Sequence, residues 1–178
     1  PDEVNEAIDR IEDLDQDERL RLFEAVFEEL VAVYDQSDDG YVRQSVVRAV
    51  DAMTPGLAIA FNVTHEESDI NATRADAEET LDTATGFLLD AIQDDDGRVR
   101  QSAKRALKSI YRGYEALDDS ETVAALAAEL EDLADSYEGS RRDHLLESKQ
   151  DAEFFRQPTG TRLVETIQEL SKRSDDLD

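Results

Sequence analysis

The sequence predicts an all-α fold, and three observations carry that expectation. Apolar residues recur at helical spacing along nearly the whole chain. No stretch alternates convincingly with the period of a strand. Gly and Pro, which punctuate turns, number only 7 and 3 among 178 residues, leaving room for long elements and short connections. Seven or eight helices are expected, as a single domain over residues 1–173 with a flexible acidic tail at 174–178.

Taken in order, Val4, Ala7, Ile8, Ile11 and Leu14 predict a first short helix. Leu20, Phe23, Val26, Phe27, Leu30, Val31 and Tyr34 predict a second, entered through acids at Asp15 and Asp17 that favour a helix N-terminus. Val42, Val46, Ala49, Val50 and Met53 predict a third, which Pro55-Gly56 stops. Residues 54–70 are the least regular stretch, readable as a buried turn or a packed loop. Helix returns near Ala72 and runs through Leu81, Phe87, Leu88 and Ile92. Further helices are expected over 98–117, 120–137, 141–156 and 161–173, the last two parted by Pro158 and Gly160.

An internal repeat organises these helices. QSDDGYVRQSVVRAV (36–50) aligns without gaps to QDDDGRVRQSAKRAL (93–107), with 10 of 15 positions identical. Each copy follows one amphipathic helix and begins another, so the unit is helix, tight acidic turn, helix, and such units stack side by side. Asp39 and Gly40, then Asp94, Asp96 and Gly97, form the turns; the acids cap the next helix and complement its dipole. Val99 is expected in the core. A fainter third copy places Gly139 and Arg142 where Gly97 and Arg100 stand, 42 residues earlier.

The turn resembles that of the HEAT-repeat family, especially the short repeats of phycobilin-lyase-type proteins, whose pattern runs D-x-D-x-x-V-R-x-x-A. Asp94, Asp96, Val99, Arg100 and Ala103 match it, as do Asp39, Val42 and Arg43 in the first copy, where Ser37 and Val46 depart from it. The resemblance implies a short HEAT-like array of helical hairpins, either open or packed as a compact bundle. It also implies that Arg43 and Arg100 reach across to turn acids of neighbouring units. The clear copies lie 57 residues apart, against roughly 40–47 in such repeats; the 54–70 segment supplies the excess.

Charge is the second theme. The chain carries 45 acids and 19 bases, for a net charge of −26. Only 4 of the bases are Lys. Self-repulsion on that scale destabilises a compact state, and ~1 M salt, where the Debye length is about 3 Å, screens it. Acid excess, few Lys and a modest core resemble proteins of salt-in halophiles, haloarchaea above all. Collagen-like, disulfide-stapled and membrane-spanning classes are excluded, and a globally basic nucleic-acid binder with them. The chain opens PDEVNEAIDR, with neither a basic start nor an apolar run, so a cytoplasmic location is expected.

Catalytic signals are sparse. The chain has no Cys, no G-x-S-x-G elbow and no phosphate-binding glycine loop. His65-Glu66 resembles one pair of the iron-binding HEAT-repeat hydroxylases, which use several; His65 therefore reads as an ordinary loop residue. The acidic turn at Asp94 fails as a calcium loop because Arg98 and Val99 occupy positions that need a ligand and a glycine. Two glycosylation sequons, at Asn62 and Asn71, read as accidental. Neither a catalytic site, a metal nor a cofactor is expected.

One local anomaly remains. Residues 98–112 hold six bases and no acid. On a helix, Val99, Ala103, Ala106, Leu107 and Ile110 share one face, with Arg98, Lys104, Arg105, Lys108 and Arg112 opposite and Arg100 at the apolar edge. Either acids of adjoining helices neutralise this stripe, or it is an exposed patch for an acidic partner, with Tyr111 and Tyr114 as apolar contacts or as core caps. The leading functional expectation is a non-enzymatic protein–protein interaction module, an adaptor or regulator with an unidentified protein partner and no membrane contact. Nucleic-acid binding through the stripe is the alternative, and a small acidic nucleic-acid mimic a further one.

Overall fold

The computed structural model describes residues 2–54 and 72–157. Among these are seven α-helices and no strand: α1 (Asp2–Glu12), α2 (Gln16–Gln36), α3 (Gly40–Met53), α4 (Arg74–Ala91), α5 (Gly97–Ala116), α6 (Ser120–Ala134) and α7 (Gly139–Arg156). The expectations placed on Pro55-Gly56 and most of 54–70, on His65, on both sequons, on a helix over 161–173 and on the acidic tail fall outside the described residues.

The helix starts follow local chemistry. Asp15 and Glu18 form a reciprocal capping box on α2, and Thr73 with Asp76 does the same for α4. Asp39 accepts from the Tyr41 N–H and Asp96 from the Arg98 N–H, so the repeat turn caps α3 and α5 identically. All three copies begin their second helix on the repeat glycine: Gly40, Gly97 and Gly139. The third has drifted, because Glu138 supplies no side-chain cap and Gly139 takes a φ of +60°.

The helices pack in two layers. α1, α3, α5 and α7 lie side by side in one, each touching the next; α2, α4 and α6 lie on the other side, packed on α3, α5 and α7. Cross-contacts show that α3, α5 and α7 run parallel: Gln44 meets Ser102 and Arg48 shares a pocket with Arg105 across α3 and α5, and Lys104 meets Glu147 and Lys108 meets Asp151 across α5 and α7. One continuous core joins Phe23, Val47, Leu88, Ile110, Leu130 and Phe155. At the crossing of α4 and α5, a Cβ on Gly113 would stand 2.9 Å from the Leu81 Cδ2, so glycine permits the close approach. Among the described residues no helix is long and apolar enough to cross a membrane.

Burial corrects two expectations. Tyr111 is fully buried, its hydroxyl 2.8 Å from the Ser148 Oγ, and Tyr114 is buried with its hydroxyl donating to Asp82 at 2.6 Å. Tyr111 is thus a core cap between α5 and α7 and contributes nothing to an exposed surface. Val42 departs in the other direction. Its repeat mate Val99 is fully buried, whereas Val42 is 38% exposed. α5 is flanked by α3 and α7, whereas among the described residues the outer flank of α3 is covered by the 11-residue α1.

Candidate functional site

The repeat turns form the first polar system. Arg43 forks onto Asp94 of the next turn, Nε to Oδ2 at 2.8 Å and Nη2 to Oδ1 at 3.0 Å, while Nη1 donates to its own turn at the Ser37 carbonyl. The Tyr34 hydroxyl donates to the same carboxylate at 2.6 Å, and the Asp96 N–H donates to it at 2.7 Å. Both side chains are largely buried, 17% exposed for Arg43 and 7% for Asp94. Burial pushes the Asp94 carboxyl up, but the hydrogen bonds from Arg43, Tyr34 and Asp96 hold it below its ordinary range. Burial and the bond to Asp94 push the Tyr34 phenol up, so it stays a donor.

Arg100 repeats half of this pattern. Its Nη1 donates to its own turn, at the Asp94 and Asp95 carbonyls, as Arg43 does at Ser37. Across the seam it meets no carboxylate among the described residues; Nη2 donates to the Ser140 Oγ at 2.9 Å and Nε to the His144 Nδ1 at 3.3 Å. Burial, with the charges of Arg100 and Lys104, holds His144 below its ordinary pKa, which keeps the accepting nitrogen free of a proton. The third turn carries Ser136 where the second carries Asp94, so the acid the family pattern implies is missing. Arg142, the third copy of this arginine, stands 3.9 Å from Asp135.

The basic stripe is mostly claimed from within. Lys104 pairs with Glu147, and Lys108 with Asp151 at 2.9 Å, both from α7. Arg112 lies over the Phe155 ring, 5.6 Å from its centroid. Arg98 forks back onto Asp96 at 2.6 and 3.0 Å and covers the Tyr41 ring at 3.8 Å. That fork, with the Arg98 N–H, holds the Asp96 carboxyl down at about 2. Of the five cations predicted on the stripe, Arg105 alone has neither a carboxylate within ion-pair distance nor an aromatic ring beneath it among the described residues, and it is exposed.

Arg105 has a companion that sequence reasoning did not single out. Arg48 is its counterpart in the first repeat, and parallel packing brings both to the same pocket of about 360 Å³, with Gln44, Asp51 and Ser102. The signal was available, since any repeat position facing outward on α3 returns beside itself on α5. Arg48 donates to the Asn5 Oδ1 at 2.8 Å and has no carboxylate partner among the described residues. Sharing Gln44 and Arg48 with this pocket is a groove of about 600 Å³ between α1 and α3, lined also by Val4, Tyr41, Val42 and Ser45. Of the five large apolar side chains exposed among the described residues, Val4, Tyr41 and Val42 all lie here. Among the described residues no three His, Asp or Glu side chains gather to hold a metal ion. The repeat motif therefore builds the seams, and the first-layer face bears the exposed apolar groove and the two arginines.

Comparison with family models, with curated proteins and with solved structures returns no match.

Proposed function

We propose that the chain is a non-enzymatic protein–protein interaction module, an adaptor or regulator built as a short HEAT-like array and working in a halophilic, haloarchaeal cytoplasm. The observation that supports it is the outward face of the first layer, where an apolar groove of about 600 Å³ runs into a pocket holding two arginines without carboxylate partners among the described residues. An exposed apolar patch beside polar residues is the usual mark of an interaction site on a protein surface. Stacked helical hairpins present such faces along one side of the array. Nucleic-acid binding through residues 98–112 has less support, because Lys104, Lys108 and Arg98 already hold carboxylates.

A tagged pull-down from haloarchaeal lysate in molar KCl, split into nuclease-treated and untreated halves, tests this reading. One protein enriched equally in both halves is expected. Enrichment that disappears with nuclease makes the nucleic-acid reading the better one.

A further inference from the structure

The groove between α1 and α3 and the arginine pocket beside it are one surface with two chemistries. Val4, Tyr41 and Val42 are 37%, 64% and 38% exposed, and they face a groove large enough for apolar side chains of a partner. Arg48 and Arg105 stand at its edge. In the neighbouring seam the cations Lys104 and Lys108 each hold a carboxylate of this chain. Two like charges sharing a pocket repel, and the acids among the described residues leave this pair unmatched, with only Asp51 of them lining the same pocket, outside ion-pair range. Guanidinium forks suit carboxylates, and two of them suit two carboxylates or one shared between them.

We propose that this surface binds an acidic, apolar-anchored segment of a partner protein, its apolar side chain packed on Tyr41, Val4 and Val42 and its carboxylates on Arg48 and Arg105. The proposal rests on the interaction-module reading and gives that module its site and the chemistry of its partner. Polypeptide fits better than a phosphate backbone on two counts. The larger part of the surface is apolar, which a sugar-phosphate chain leaves unfilled. Asp51 in the arginine pocket opposes a dense polyanion, whereas a peptide can space its acids around it. Tyr41, Val42, Arg48 and Arg105 lie on capped helices, so this part of the site is preformed and little ordering cost falls on it.

Selection of binders from a random peptide display library against the full-length chain tests this. Enriched peptides should carry Asp or Glu next to Leu, Ile or Phe. Their affinity, read by fluorescence anisotropy, should fall about tenfold with Arg48→Gln plus Arg105→Gln and by a similar factor with Tyr41→Ala. All three positions lie on the outer face, and far-UV circular dichroism checks that each variant keeps its helices. Peptides without acids, affinity unchanged by the variants, or no enrichment at all would overturn the proposal. So would a duplex oligonucleotide that competes at this site, or a concentration-dependent dimer lost with Tyr41→Ala, which would put a second copy there. The two readings fail separately: a cellular partner captured as well by the Arg48→Gln, Arg105→Gln, Tyr41→Ala chain as by the parent removes this site and leaves the interaction module standing.

Discussion

The two seams of the first layer are built from the same repeat and solve the same problem in opposite ways. Between α3 and α5 the lock is a buried ion pair at the turn, Arg43 on Asp94, while the outward cations Arg48 and Arg105 have no carboxylate partner among the described residues. Between α5 and α7 the equivalent Arg100 meets only a hydroxyl and an imidazole, and the outward cations are zipped to Glu147 and Asp151. A parallel helix pair needs its register fixed once. The first seam is fixed by a buried pair at its turn and leaves its outer face available; the second has Ser136 in place of the acid and an exposed Arg141–Asp95 pair at its turn, and adds the two lysine pairs on the outer face.

The largest effect should come from removing the acid of the first lock. Asp94→Ala leaves the Arg43 charge and the Tyr34 hydroxyl buried without their acceptor, and breaking a buried pair in this way costs about 3–5 kcal/mol. Arg100→Met keeps much of the volume and strands only neutral groups, for a cost of about 1–2 kcal/mol. Urea unfolding of both variants measures the gap, and equal losses would mean that the two turns carry the same load. Acid sharpens the contrast. The Asp94 pKa is depressed in the folded state, so its stabilisation is complete above the ordinary value of 3.8 and is lost as pH falls below it. Asp51 is shifted the other way, pushed up chiefly by burial, so protonating it favours the fold as pH falls. Urea midpoints followed from about pH 6 to about pH 3 should therefore fall less steeply in Asp94→Asn than in the parent, and more steeply in Asp51→Asn.

A second contrast lies in the repeat glycines. A Cβ on Gly40 would stand 1.9 Å from the Asp96 Oδ2 and 2.6 Å from its Cγ, because the second turn closes directly over the start of α3. Gly40→Ala must push Asp96 aside, off the cap it makes on α5, and a lost cap costs about 1 kcal/mol. At Gly97 the nearest atom to a new Cβ is the Arg100 Nη2, at 3.4 Å. Gly97→Ala should be neutral or stabilising by about 0.5 kcal/mol, since alanine lowers the entropy of the unfolded chain. Thermal melts of the two variants, side by side, test whether the turns are as unequal as their packing.

Much of this asymmetry was legible in the sequence, and the part that was not has a physical cause. Helices α1 to α7 are visible because their apolar residues repeat at helical spacing and their starts carry Asp, Thr or the repeat glycine. The resemblance placed Arg43 against a neighbouring turn acid, and Arg43 does lie on Asp94. Arg100 departs because its would-be acid, one unit on, is Ser136. Tyr111 misled because a helical wheel puts it beside the apolar arc without saying what covers it; the cover is Ser148, 37 residues away on α7. Glu147 and Asp151 lie 43 residues after their lysines, one more than the offset of the faint third copy, so the zipper hides in a register slightly out of step with the repeat. The groove was invisible for a different reason. Val42 and Val99 occupy the same repeat position, and among the described helices Val99 lies on one flanked on both sides while Val42 lies on one with the short α1 at its outer flank.

The smallest expected effect bears directly on how the outer face is used. Lys104→Glu with Lys108→Glu sets like charges against Glu147 and Asp151, which are 53% and 28% exposed. Exposed pairs of this kind contribute about 0.2–1 kcal/mol each, and ~1 M salt screens what they do contribute. Arg48→Gln with Arg105→Gln breaks no ion pair among the described residues and relieves a repulsion, so it should leave stability unchanged or raise it slightly. Melting temperatures in about 0.1 M and about 1 M KCl separate these cases, because the lysine variants should lose most at low salt while the arginine variants gain there. If the arginine variants prove the less stable pair, the two guanidinium groups hold the α3–α5 seam together, and the outer face there serves structure just as its neighbour does.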